Sequence, residues 1–320
     1  RSPPAPPEPP MNAQPREVPL SAGRAHALLH ATVLLWGFTA LLGKSIAVGA
    51  RALVFYRVTL VAFTMAVVMV RRRVPFRTAT PRLVELVGAG ALVACHWVSF
   101  YATIKLAGIA VAVVCLSTCT FFTALLEPLI LRRPVRWHEL VLGGGVVVGV
   151  GVLLRFEVGA SLAGYALGLL SALSAAGFGT WNARLGKLEP REKITFIELS
   201  SAAFWIGASF LVTGGFVPPT AVSPRDWGLL LVLALGCTAL PWMWSLRVLA
   251  TLSPYTVSVS VALEPVYSLL FAYLVWPTEE RLGARFYAGA LGLVGLIVAN
   301  AWLKKRDVPT AASAARAPAG

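Results

Sequence analysis

The sequence predicts an all-α integral membrane protein whose ten transmembrane helices form two inverted five-helix repeats. Three observations carry that prediction. The chain holds ten long apolar blocks, its basic residues gather in alternate connections, and its halves resemble each other at an offset of about 140–146 residues. Composition agrees: 57% of residues are apolar and only 13% charged, with a mean hydropathy of +0.74. A soluble domain carries roughly a quarter charged residues, so this much apolar surface needs lipid.

A spanning helix takes about 20 mostly apolar residues. The blocks that qualify are 27–47, 52–70, 83–104, 109–131, 139–157, 161–183, 194–214, 227–249, 255–276 and 284–303. Lipid dictates helices, because an open strand would leave backbone groups unpaired in hydrocarbon. Residues 1–25 are Pro-rich and polar and read as a disordered tail, with Met11 a possible start. The first block then serves as its own insertion signal. Residues 304–320 read as a basic and then disordered tail.

Placing the N-terminus in the cytoplasm puts twenty Lys and Arg residues in cytoplasmic segments and seven on the opposite side. Arg57 lies within the second block. That asymmetry follows the positive-inside rule, and it sets both termini in the cytoplasm. The net charge of +14 does not indicate a nucleic-acid partner, since the basic residues fall in short clusters between blocks rather than along one face.

The repeat divides the chain into 26–157 and 158–303. Phe55-Tyr56-Arg57-Val58-Thr59 aligns with Phe196-Ile197-Glu198-Leu199-Ser200, and Trp36-Gly37-Phe38 with Lys44 aligns with Ala176-Gly177-Phe178 with Arg184. Gly145 and Gly151 align with Gly289 and Gly295. Five helices per half is odd, so the second half is inserted upside down. Inverted repeats suit transporters, whose two halves can exchange near-equivalent conformations.

Leu35-Trp36-Gly37 with Lys44, Tyr56-Arg57, a hydroxyl-rich helix 4 ending Leu126-Glu127-Pro128, Leu263-Glu264-Pro265, and Glu279-Glu280 before Gly289 together resemble the EamA-like branch of the drug/metabolite transporter superfamily. The resemblance covers about residues 26–303. It implies a central cavity between the repeats and export or exchange of small solutes such as amino acids, drug-like molecules or other metabolites.

Ionisable groups inside the bilayer are costly and mark candidate sites. Glu264 falls near the middle of helix 9, beside Pro265, whose missing N–H frees a carbonyl around position 261. A carboxyl there could take a proton on one side and release it on the other. Arg57 and Glu198 hold equivalent repeat positions at different depths, too far apart to pair, so each needs its own partner. Arg57 either draws anionic solutes to a cavity wall or caps carbonyls, and Glu198, about one turn into helix 7, reaches interfacial water or acts in coupling. Glu127 precedes Arg132 and Arg133 by about one turn, which predicts a local ion pair or a third coupling carboxylate.

Aromatic and polar residues extend the candidate cavity: Trp36, His96, Trp97, Tyr101, Trp181, Trp242, Arg247 and Tyr267, with Thr118 as a hydroxyl source. Indole and phenol rings suit organic solutes with apolar bodies. Trp137, Trp227, Trp276 and Trp302 fit the interfacial class. Gly145 and Gly149 predict close packing of helix 5.

The four cysteines all lie within apolar blocks and read as small buried hydrophobes. Cys115 and Cys119 share a face but have no His or second pair to complete a metal site. His26-x-x-x-His30 lacks a third ligand, and no cofactor or nucleotide motif is present. An enzyme, a channel and a non-transporting scaffold are the competing classes. A filter-like loop is absent, and a scaffold has no need of charges inside the bilayer. The expected partners are therefore the lipid bilayer, a small-molecule substrate and, as coupling ion, protons. Oligomeric state is not legible.

Overall fold

The computed structural model describes residues 20–154 and 162–277, with 291, 292 and 295. These residues are helical and include no strand. The helices are α1 (Ala22–Ser45), α2 (Ala50–Arg72), α3 (Thr80–Ser117), α4 (Cys119–Leu131), α5 (Trp137–Leu154), α6 (Leu162–Leu185) and α7 (Arg191–Thr213). A single turn (Pro219–Ala221) follows, then α8 (Pro224–Leu231), a π-helical stretch (Val232–Ala239), α9 (Leu240–Leu249), α10 (Pro254–Val261) and α11 (Glu264–Val275). Residues 1–19, the C-terminal tail, Glu279-Glu280, Gly289, Trp302 and the tenth apolar block apart from 291, 292 and 295 fall outside what can be described, and α1 starts at Ala22, inside the stretch read as a tail.

Seven stretches among the described residues are long and apolar enough to cross a membrane, the longest being the 52 residues Thr80–Leu131. That stretch holds two passes. At Gly108 φ is 87°, a conformation that glycine adopts without steric cost. A Cβ built on Gly168 of α6 would lie 2.7 Å from Cys115 Cβ and 3.6 Å from Thr103 Cγ2. Residues twelve apart on a straight helix are about 18 Å apart, so α3 doubles back at Gly108. The sequence-predicted break between 104 and 109 falls there.

Short helices begin where the sequence supplies caps. Ser223 accepts from Asp226 N at 3.0 Å and Ser253 from Thr256 N at 3.2 Å. Each precedes a proline at the first helical position, where the missing N–H costs nothing. Apolar block 255–276 divides at Ala262–Leu263, just ahead of Glu264-Pro265. The π-helical stretch inside block 227–249 had no sequence signal.

The halves pack across each other: α3 along α6, α2 along α7, and α1 against α9 and α11. Outward faces stay apolar, as Leu211 (90% exposed), Val212 (85%) and Leu129 (75%) illustrate. Such surface is stable against acyl chains rather than water. Helix 5 packs closely at Gly143, where a Cβ would sit 2.8 Å from Phe121 Cα, a position outside the predicted Gly145 and Gly149 pair.

At one end, the connection between α1 and α2 is tied to its surroundings. Asp226 accepts from Ala47 N at 3.1 Å, Lys105 Nζ donates to the Ile46 carbonyl at 2.5 Å, and Arg51 donates to Thr213 Oγ1 and the Gly214 carbonyl. At the opposite end, Glu127 joins the halves. It is 2% exposed; its Oε1 accepts from Arg133 Nε at 3.0 Å, and its Oε2 accepts from Tyr255 N at 2.8 Å in the first turn of α10. Arg133 also pairs with Glu139. The local ion pair predicted from sequence therefore involves Arg133, while the cap on α10 is a long-range contact that helical spacing does not reveal. Arg132 instead adopts the left-handed conformation that ends α4.

Candidate functional site

A cavity of about 110 Å³ lies between the halves, well above the roughly 10–15 Å³ that one water needs. Its first-half wall comes from α1 (Trp36, Thr39), α2 (Arg57) and α3 (His96, Trp97, Phe100). The opposite wall comes from α6 (Phe178, Thr180, Asn182), α9 (Trp242, Ser245), α10 (Ser258) and the first residue of α11 (Glu264).

Arg57 is 1% exposed and is held from three sides. Nε donates to Thr238 Oγ1 at 2.6 Å and Nη1 to Tyr101 Oη at 2.7 Å, while Cζ stands 4.0 Å from the Trp97 ring centroid. The fork geometry of a guanidinium permits all three contacts at once. Thr238 belongs to the π-helical stretch, and its hydroxyl donates in turn to the Leu233 carbonyl at 2.6 Å. π-helical turns are frequent at functional sites. Here the turn delivers a hydroxyl to the buried cation.

Glu264 opens α11 and is 4% exposed. It lines the cavity and attracts Arg57 electrostatically without forming a contact ion pair. Among the described residues no hydrogen bond occupies its carboxyl. One wall thus presents a fixed cation and another a carboxylate with room for a ligand.

Rings fill the space between. Trp97 and Trp242 stand 5.2 Å apart by centroid, and Phe178 stacks on Trp242 at 5.3 Å and 26°. His96 Nδ1 lies 3.0 Å from the Ser171 carbonyl oxygen. The Ser171 hydroxyl stands 2.9 Å from the same nitrogen, so Ser171 holds the Nδ1 side of the ring and Nε2 is its other polar atom. Thr180 Oγ1, Asn182 Oδ1 and Trp242 Nε1 are buried without partners among the described residues. Such atoms in a cavity wall are available to a bound solute.

Of the sequence-predicted residues, Glu264, Arg57, Trp36, His96, Trp97 and Trp242 converge on this cavity. Tyr101 supports it from behind through Arg57. Thr118 does not line it; its hydroxyl closes the α3–α4 junction by donating to the Cys115 carbonyl at 2.6 Å. Trp181 packs over Gly88, Tyr267 packs over Gly37, and Arg247 is half-buried on α9 outside the lining. Glu198 corrects the interfacial-water reading, because it is 0% exposed and accepts from Asn182 Nδ2 at 3.1 Å. Packing of α7 between α2 and α3 cuts it off from water despite its place near a helix end. Trp137 is 75% exposed, and Lys44 lies 4.6 Å from the ring centroid of Trp276.

Sequence reasoning missed Thr238, Phe100 and Asn182. Asn182 could have been found, since an amide inside an apolar block needs a partner. Thr238 could not, because its role depends on a π turn. No group of three metal-ligating side chains occurs among the described residues, and the described cysteines are all free.

Comparison with known proteins accounts for this architecture. The model of the EamA-like transporter family matches residues 23–155 and again 162–301. No curated protein matches the chain. Among solved structures, a crystal structure described only as that of a protein is 18% identical, spans 90% of this chain and 99% of its own, and superposes with a TM-score of 0.69. At that identity it speaks for the fold alone. Helices apolar enough for lipid enclose a charged, ring-lined cavity, and two successive matches to the family model together cover most of the chain, so it belongs to the EamA-like transporter family of membrane transporters.

Proposed function

We propose that this chain is a secondary transporter that moves a small organic metabolite by alternating access, with net efflux. The solute class is an amino acid, drug-like molecule or related compound that combines an apolar body with a charged group. The observation that carries the reading is the placing of Arg57 and Glu264 on different walls of one aromatic cavity between the halves. Arg57 has donors in a planar fork for an anionic group, Glu264 has an open carboxyl for a cationic one, and the indole rings accept the body between them.

The reading includes ten helices in two inverted repeats, both termini in the cytoplasm, and a bacterial inner membrane. On that orientation the tied end around Ala47, Arg51 and Asp226 faces outward. The cavity lining extends through Asn182, Leu249 and Pro254 toward the cytoplasmic end, which supports an inward-facing conformation. Alternating access then requires the outer ties to open as the cytoplasmic mouth of the cavity around Asn182, Leu249 and Pro254 closes. Coupling would use one or more of Glu264, Glu127 and Glu198. Because Glu127 is held by an arginine and a backbone N–H, it suits a structural latch better than a carrier of protons.

The test is metabolite uptake and release in proteoliposomes of the purified full chain, with and without a proton gradient. Glu264→Gln should insert normally, elute as a single species, and lose at least tenfold in transport. Full activity with unchanged pH dependence in that variant would sink the assignment of Glu264. Absence of gradient-dependent flux for every amino acid and drug-like cation tried would favour the scaffold.

A further inference from the structure

We propose that Glu198 and Asn182 form a proton-binding site, separate from Arg57 and Glu264, in which a proton on Glu198 Oε1 closes a two-bond acid–amide ring. The proposal rests on the carrier reading only in making that proton a co-substrate. Asn182 Nδ2 donates to Glu198 Oε2 at 3.1 Å. The remaining polar atoms of both groups, Glu198 Oε1 and Asn182 Oδ1, are buried and have no partner among the described residues. Both are acceptors when Glu198 is ionised, so neither can satisfy the other. One hydrogen changes that. A protonated Oε1 donates to Oδ1, Nδ2 continues to donate to Oε2, and the pair becomes a planar ring with every polar atom used.

The step is simple to balance. Glu198 takes one H⁺ from water, its charge goes from −1 to 0, and no other bond breaks. An ionised carboxylate with one hydrogen bond and no counter-ion is costly at 0% exposure, so the surroundings favour the loaded form.

Among the described residues no charged side chain acts on Glu198, Arg82 of α3 with its buried Nη1 included. α7 packs against α2, α3 and α9, and Asn182 reaches it from α6. On those elements Arg57 is bonded to Tyr101 and Thr238, Glu85 to Arg184, and His96 to Ser171. Arg247 of α9 is not a partner of Glu198. On α7 itself, Glu192 pairs with Arg72, Lys193 pairs with Glu189, and Arg191 donates to the Met243 carbonyl. Among the described residues Asn182 is the side chain that acts on Glu198, and it also lines the cavity. A solute that draws the Asn182 amide toward itself breaks the ring, which links solute binding to the proton. Two side-chain oxygens are too few to replace the shell of a metal cation, so the proton is the ion that fits.

Infrared difference spectroscopy of the full chain in phospholipid vesicles, stepped from low to high pH, reads this site without a substrate. The wild type should show a carboxylic-acid carbonyl band that disappears as pH rises. With Glu264→Gln as the background, so that Glu264 adds no carboxyl band of its own, the band should remain, and adding Glu198→Gln should abolish it. It should move to higher frequency in Asn182→Leu, where the carbonyl loses its N–H donor. Should Glu198→Gln fail to reconstitute, the Asn182→Leu spectrum decides alone. Persistence of the band once Glu198→Gln is added to that background, no shift in Asn182→Leu, a band that never titrates, or removal of the band by Na⁺ at constant pH would each overturn the site. Because the band needs no transport, its loss and failure of the flux assay are separable outcomes.

Discussion

Arg57 and Glu198 are each the eighth residue of their helices, α2 and α7, which pack along one another. They carry opposite charges at matching positions and are both removed from solvent, yet their surroundings differ. Arg57 has two charge-assisted hydrogen bonds and an indole face. Glu198 has one hydrogen bond and an unpaired oxygen. A guanidinium cannot shed its proton in a protein, so a buried one needs a complete shell of partners. A carboxyl can neutralise itself and tolerates an incomplete one. The same position along its helix therefore holds a permanent charge in one half and, on the proposal above, a switchable group in the other.

The largest expected effect lies on the permanent side. Arg57→Lys keeps the charge but loses the fork, so one of the two hydrogen bonds disappears along with the flat cation over Trp97. Hydrogen bonds to charged groups are worth about 1.5–3 kcal/mol each, and that is the expected loss of stability. Thermal unfolding in detergent, followed by intrinsic tryptophan fluorescence, would measure it. A lysine variant as stable as the wild type would show that the shell around Arg57 is incidental.

The switchable side predicts a different pattern. Glu198→Ala strands the Asn182 amide in an apolar setting and should cost roughly 1–3 kcal/mol. Glu198→Gln restores two complementary hydrogen bonds as an amide–amide ring and should stay within about 0.5 kcal/mol of the wild type. Equal losses in the two variants would mean that Asn182 does not read the group at 198.

How much of this contrast was legible in the sequence follows from the range of each signal. Apolar length and the charge between blocks are local properties, so the membrane class, the break near 105–108, and the presence of Arg57 and Glu264 inside apolar blocks could be read directly, whereas block 255–276 was read as one helix and divides at Ala262–Leu263. The expectation that Arg57 and Glu198 need separate partners also followed from their depths in different helices. Their actual partners did not. Tyr101, Thr238 and Asn182 lie 44, 181 and 16 residues away, and which face of each helix meets which neighbour is set by packing. Glu198 was misplaced at the interface because distance along a helix says nothing about what covers its end. Trp181, Thr118, Arg247 and Tyr267 have the right chemistry for a cavity but stand on helix faces that turn elsewhere.

The smallest predicted effect concerns how the permanent charge is held. Thr238 Oγ1 accepts from Arg57 Nε and donates to the Leu233 carbonyl five residues back, both at 2.6 Å. One hydroxyl thus joins the buried cation to the π-helical stretch. Thr238→Val preserves shape and removes both hydrogen bonds. Arg57 faces the cavity, where water can replace the lost acceptor, so the cost should be only about 1 kcal/mol. Thr238→Ser should recover most of it, since the hydroxyl returns without the methyl. Amide exchange across Val232–Ala239 adds a local readout: the valine variant should exchange faster there and the serine variant should not. If valine leaves both stability and exchange unchanged, the π turn is imposed by helix packing alone, and Arg57 rests chiefly on Tyr101 and Trp97.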